Sequence, residues 1–345
     1  MAQYFPSRTA VFFLAVVLLF YSGPASGNSR VPKTERFAPT SDETRNEWQT
    51  AAEQLEESDS HQTRMVNSDV TLENEYPYMV ALLKFNNETQ GKFDYQCGGS
   101  LISPSHILTA AHCVEENHKA YPTKWIKVAL GAHFINDTSS DAQLTKTIVR
   151  IKIHEDYDRT ELANDIAILT LKSPVKFTET ISPICLPPPE SNDQYEGELA
   201  IVKGWGDTGE DEGGSEVLHH AVKKIISNSQ CQKLYGDTKI FNHNVCTYRR
   251  GKHFCFGDNG SPLVIETDIL DNTNEANDIN QKCQWIQVGI ASWGFCGAQQ
   301  SIGHVPDVYT RVTSFLPWIK KEMKRLSSKQ SRPNSIRMNA IGRRV

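Results

Sequence analysis

Cys97-Gly98-Gly99-Ser100-Leu101, followed by Leu108-Thr109-Ala110-Ala111-His112-Cys113, says most about how this chain folds. A glycine pair sits inside a β-type run, and a histidine lies between two alanines and a cysteine. Short apolar, β-branched runs lie on either side: Tyr78 to Leu83, Ile126 to Leu130, Ile148 to Ile153, Ile166 to Leu171 and Trp285 to Ile290. Gly, Pro, Asn and Asp separate them. Many short strands with few helical periods predict an all-β sandwich or barrel. One helical stretch, Phe315 to about Leu326, closes the series. Asp207 to Glu216 and Glu266 to Lys282 read as polar loops.

The chain has 345 residues, 39% of them hydrophobic and 22% charged, which excludes a wholly disordered or collagen-like protein. Its net charge of -5 argues against general nucleic-acid binding. That charge is unevenly placed. Residues 320–345 carry nine Lys/Arg against one Glu, so an acidic body ends in a basic tail. Residues 327–345 have few apolar side chains to fold around and read as disordered.

All eight cysteines lie between residues 97 and 296, without Cys-x-x-Cys spacing or an accompanying His cluster. Disulfides in an oxidising compartment fit this pattern better than zinc. The N-terminus points the same way. Arg8 precedes an apolar run from Ala10 to Tyr21, and Ala25-Ser26-Gly27 supplies small residues for cleavage. Residues 1–27 therefore read as a signal peptide, too short in its apolar part to span a bilayer. Residues 28–64 hold five basic and eight acidic side chains and almost no strand pattern, as expected of a polar pro-segment. The expected location is secreted and extracellular.

Two further segments complete a constellation with His112: Asn164-Asp165-Ile166-Ala167-Ile168-Leu169, and Cys255-Phe256-Gly257-Asp258-Asn259-Gly260-Ser261-Pro262-Leu263. An Asp before an apolar run is usually a turn, and a glycine-rich loop is usually only a loop. Their order within one cysteine-rich β chain is far less common by chance. With Val202 to Gly206, Ser292-Trp293-Gly294, Pro306 to Val312 and Trp318-Ile319, residues 65–326 resemble the chymotrypsin-like (trypsin family) serine peptidases. The resemblance implies two six-stranded antiparallel β-barrels with a C-terminal helix and a cleft between the barrels.

The family mechanism needs a hydroxyl nucleophile, a His that takes its proton and a buried Asp that orients the His. The resemblance puts His112 and Asp165 in the last two roles and Asn259 where the family has serine. A carboxamide nitrogen delocalises its lone pair and offers no acidic proton, so the expectation is a pseudo-peptidase. Gly257 and Asn259 would supply oxyanion-hole-like N–H groups. The competing enzyme reading uses Ser261 as nucleophile. A third reading is an adhesive protein tethered by its basic tail.

The same resemblance implies activation by cleavage between Arg64 and Met65, with Asp258 as partner of the new amino terminus. Met65-Val66-Asn67-Ser68 lacks the family's glycines, which departs from clean insertion. The specificity pocket falls on His253, Phe254, Ser292, Trp293, Gly294 and Asp307. There, either Asp307 is a relocated acid that attracts Lys or Arg, or His253 pairs with Asp307 and fills the pocket.

The implied disulfides are Cys97–Cys113, Cys231–Cys246 and Cys255–Cys296, leaving Cys185–Cys283. A further family bridge would fall on Ala200 and Ile265 and is absent. Ala132 after Leu130-Gly131 departs from the family's calcium loop, so no metal or other cofactor is expected. Asn87 and Asn136 open glycosylation sequons; Asn259 opens a third, followed by Pro262, and is expected unmodified. Inactive homologues of this kind are implied to act on extracellular proteins, peptidases or their substrates, in proteolytic cascades of immunity or reproduction. The tail adds a candidate polyanion contact; no specific nucleic acid and no membrane span are expected.

Overall fold

The computed structural model describes residues 69–86, 91–135, 143–189, 191, 193–206, 214–249, 254, 257–271, 282–294 and 305–330. A two-residue strand β1 (Asp69–Val70) precedes the first barrel. That barrel contains β2 (Met79–Asn86), β3 (Lys92–Ser103), β4 (His106–Thr109), β7 (Ile126–Leu130), β8 (Leu144–Ile153) and β9 (Ala167–Leu171), closed in the order β2-β3-β4-β9-β8-β7. A small hairpin, β5 (Glu115–Glu116) with β6 (Lys119–Ala120), projects between β4 and β7.

The second barrel follows: β10 (Leu199–Gly204), β11 (His219–Ile226), helix α1 (Asn228–Tyr235), β12 (Asn244–Tyr248), β13 (Pro262–Asp271), β14 (Lys282–Trp293) and β15 (Asp307–Arg311). Its strands run in the order β11-β10-β13-β14-β15-β12, and pairing of β11 with β12 closes the ring. β1 adds to the outer edge of β11, with Asp69 opposite His220 and Val70 opposite His219. Helix α2 (Leu316–Gln330) ends the described chain and packs Leu316 and Ile319 into the first core. It runs past Leu326, into the segment read from sequence as tail.

Each barrel interior is filled by the inward set of its alternating strands. Leu82, Leu101, Ile107, Leu108, Val128 and Leu169 are buried in the first, and Val202, Ile225, Val245, Leu263, Val288 and Tyr309 in the second. Strands β9, β12 and β15 are buried along their whole length, and of these only β9 reads as a near-continuous apolar run. The Asn/Asp-rich region read as a loop from Glu266 is partly strand. β13 continues to Asp271 and pairs with β14, with a register shift after Glu266.

Polar bonds cross the cleft between the barrels. Ser100 Oγ donates to Gln287 Oε1 at 2.6 Å, and both residues are fully buried. Lys203 on β10 reaches the start of β2, donating to Tyr78 OH at 2.8 Å with its Nζ 4.3 Å from the Tyr76 ring centre. Burial pushes this amine well below the usual lysine range, opposed in part by the charge of Glu75.

Candidate active site

Strand β4 delivers the histidine. After Thr109 the chain passes through buried Ala110 and Ala111 into a tight 3-10 turn, His112–Val114. The next residue, Cys113, is bonded to Cys97 on β3, which fixes the turn against the sheet. Asp165 stands just before β9, after Asn164 in left-handed backbone (φ 55°), a conformation Asn tolerates better than most residues.

Asp165 is fully buried, and its carboxylate accepts three hydrogen bonds. His112 N donates to Oδ1 at 2.9 Å, while His112 Nδ1 and Ser292 Oγ donate to Oδ2 at 2.7 and 2.6 Å. Thr310 Oγ1 donates to the Asp165 carbonyl at 2.8 Å. Ser292 and Thr310 belong to the second barrel, so the acid is held from both sides of the cleft. Burial lowers the His112 pKa, but the Asp165 charge and hydrogen bond outweigh it. The imidazole is held above its ordinary value. Its Nε2 lies 3.7 Å from Cys113 Sγ.

The loop carrying Asn259 is shaped by two glycines in left-handed backbone, Gly257 (φ 99°) and Gly260 (φ 79°). A Cβ on Gly260 would lie 2.3 Å from Thr109 Oγ1 and 2.5 Å from the Gly98 carbonyl oxygen, so only glycine fits there. The loop is clamped by main-chain bonds. Gly98 N donates to the Asn259 carbonyl at 2.8 Å, Gly260 N to the Ala291 carbonyl at 2.8 Å, and Tyr95 OH to the Gly257 carbonyl at 2.6 Å. Asp258 points away from the histidine and accepts from Gly206 N at 2.8 Å. No hydrogen bond joins the Asn259 carboxamide to the His112 ring.

Ser261 lies on the other side of the loop. Its side chain is fully buried and its Oγ has no hydrogen-bond partner, so it is not in hydrogen-bond contact with His112. It packs on Gly98, where an added Cβ would fall 1.9 Å from Ser261 Oγ.

At the position read as the specificity pocket, the structure corrects one of the two expectations for Asp307. The acid is not an open site for a basic side chain; His253, the other expected partner, lies outside the described residues. It forms a buried ion pair with Lys223 of β11; both side chains are essentially inaccessible. Asp307 Oδ2 also accepts from Phe254 N at 3.1 Å. Phe254 is buried edge-on against Tyr309, and a Cβ on Gly294 would lie 2.9 Å from Asp307 Oδ1. Ser292 and Trp293 are likewise buried. Removing one partner of such a buried pair destabilises by about 3–5 kcal/mol, whereas replacing both with apolar residues is close to neutral. Sequence reading missed Lys223. The available signal was its parity in β11, where Ala221, Lys223 and Ile225 share the buried face.

Cys97–Cys113, Cys231–Cys246 and Cys185–Cys283 are bonded. Cys255, Cys296, Arg64, Met65, Asn87, Asn136 and the tail beyond Gln330 lie outside the described residues. Among the described residues the one cluster of metal-ligating types is Cys97, His112 and Cys113, whose two sulfurs are joined to each other. No helix among them is long and apolar enough to cross a membrane.

Comparison with known proteins agrees with this architecture. A family profile described as Trypsin matches residues 65–319. The sequence is 34% identical over 241 residues to Clotting factor C of Tachypleus tridentatus, and 33% identical over 240 residues to Limulus clotting factor C of Carcinoscorpius rotundicauda. In both cases the alignment covers 66% of this chain but only 22% of the relative, so the chain corresponds to about a fifth of those proteins. The Clotting factor G beta subunit of Tachypleus tridentatus is 28% identical over 271 residues, covering 75% of this chain and 79% of that protein.

Proposed function

The chain belongs to the trypsin family, and we propose that within it this protein is a secreted, catalytically inactive homologue that binds or regulates proteins of an extracellular proteolytic cascade. The observation that carries the reading is the mismatch at residue 259. The surrounding loop is clamped and His112 is paired with Asp165 at 2.7 Å, yet the residue offered is a carboxamide. Asn259 has no proton that a neutral imidazole can take. Ser261, the nearest hydroxyl in the loop, is buried without a hydrogen-bond partner, which weighs against the enzyme reading. The three disulfides suit an oxidising compartment. The likeness to proteins named as clotting factors supports a cascade as the setting.

The function so proposed is exchange of partners without turnover: the cleft and its surrounding loops present a peptidase-shaped surface to a peptidase, its substrate or its regulator. The test exposes the secreted chain, intact and cut after Arg64, to a fluorophosphonate probe and a panel of peptide amides. The expected result is no label and no cleavage, together with saturable binding of a cascade peptidase measured by surface plasmon resonance. Labelling that vanishes in Ser261→Ala would overturn the reading in favour of an active enzyme.

A further inference from the structure

We propose that Lys223 is an internal ligand of the specificity pocket: its ammonium occupies Asp307, so the native chain rejects basic side chains there, and shortening Lys223 turns the site into a receptor for small ammonium and amidinium ions. The inference concerns ligand selection and holds whether or not the site turns substrate over.

The geometry is carried by three strands. β12 lies between β11 and β15, with Ile225 and Asp307 both opposite Thr247. Lys223, two residues along β11 from Ile225, therefore reaches Asp307 diagonally, across two strand spacings of about 9.5 Å together. Only a long side chain bridges that gap. Its position on the inward face of β11, between Ala221 and Ile225, would ordinarily hold an apolar residue. A cation with no access to water is tolerated there because Asp307 neutralises it.

The carboxylate is engaged and enclosed. Oδ2 receives Lys223 and the Phe254 N–H, and Oδ1 faces Gly294, where an added Cβ would come within 2.9 Å of it. A lysine or arginine entering along Ser292-Trp293-Gly294 would meet an acid already neutralised, and a like charge behind it. Desolvating a second cation there would find the Asp307 charge already spent on Lys223. An acid at this wall thus gives no attraction for basic side chains, although its sequence position alone would give one.

The experiment uses the full secreted chain in native form and as Lys223→Ala, Lys223→Met and the double variant Lys223→Met/Asp307→Leu. Binding of benzamidine and of n-propylammonium, which restores the atoms deleted in Lys223→Ala, is measured by calorimetry and by the shift in melting temperature. The native chain should show no saturable binding of either ion. Lys223→Ala should bind both at least ~30-fold more tightly than the native chain, the scale of one desolvated charge contact, and should regain melting temperature as they saturate. The double variant has neither charge of the pair and should gain nothing. Benzamidine binding by the native chain overturns the proposal, and this arm does not depend on the folding of any variant. So does a folded Lys223→Ala or Lys223→Met chain that binds neither ion. Rescue by n-propylammonium alone would mean a hole sealed from the pocket, and would overturn the claim about side-chain selection.

Discussion

Asn259→Ser should give the chain a nucleophile that its surroundings already serve. The backbone needs no change: Gly98 holds the Asn259 carbonyl, and Gly257 and Gly260 set the turn on either side. Serine is smaller than asparagine, so the substitution introduces no overlap. The base is prepared as well, since Asp165 accepts from His112 Nδ1 and leaves Nε2 to receive a proton. Removing the serine of a subtilisin costs about 10⁶ in turnover, equivalent to about 8 kcal/mol of barrier at 1.36 kcal/mol per tenfold. Restoration should recover only part of that, because Lys223 already neutralises Asp307 and the pocket gives no help in binding basic substrates. The assay is therefore chosen to bypass the pocket. A fluorophosphonate should label Asn259→Ser stoichiometrically and leave the native chain untouched. Hydrolysis of a small neutral ester should rise at least ~10²-fold, the lower end for positioned general-base catalysis, and fall back in Asn259→Ser/His112→Ala. A folded Asn259→Ser chain, cut after Arg64, that takes no label and hydrolyses the ester no faster than native would show that the surroundings do not serve a nucleophile at 259.

Asp165→Asn removes the two largest influences that raise the His112 pKa and leaves burial and the Arg159 charge opposed only by Glu115, so the ring should titrate below 6.5, as followed by its NMR shifts. In the native chain the folded value is the higher one. The pair's contribution to stability is thus full below about pH 6.5 and is lost as pH rises through the folded value; a flat stability profile there would contradict the pairing. Ser261→Ala removes a buried hydroxyl that has no partner and should be neutral or stabilising by up to about 1 kcal/mol in chemical denaturation. Gly98→Ala collides with Ser261 and should cost about 1–3 kcal/mol, with partial recovery in Gly98→Ala/Ser261→Gly, read from the same denaturation curves.

The barrels were legible because β-type runs survive as local pattern. Ile126 to Leu130 coincides with β7, and Trp285 to Ile290 lies inside β14. What escaped depends on partners distant in sequence. Thr267 to Asp271 has loop composition, but pairing with β14 draws its ends into a hairpin. Helix α1 is short and polar, and its one local sign was a capping box, Ser227 with Gln230. Of the site, His112, Asp165 and the Gly257 to Gly260 loop stood out as motifs. Thr310 and Lys223 did not. Thr310 acts on a carbonyl, and lysine on a strand is ordinarily taken for solvent-facing.

The Asp165 carboxylate also joins the two barrels of the molecule, beside the apolar contact that brings Val264 and Ile290 into the first core. Its donors come from the 3-10 turn after β4 and from β14, and its carbonyl is held by β15. Substitution of that acid would leave buried donors from both barrels unmatched, and the docking of one barrel on the other would suffer with it. Residue 259 carries no such burden, because its loop is held by main-chain atoms that any side chain leaves in place. Loss of chemistry and loss of architecture are thus separable here, and the first comes at little cost to the second. A lineage could abandon peptide hydrolysis in a single codon and still need His112 paired with Asp165 as mortar, so the persistence of that pair is no testimony to turnover.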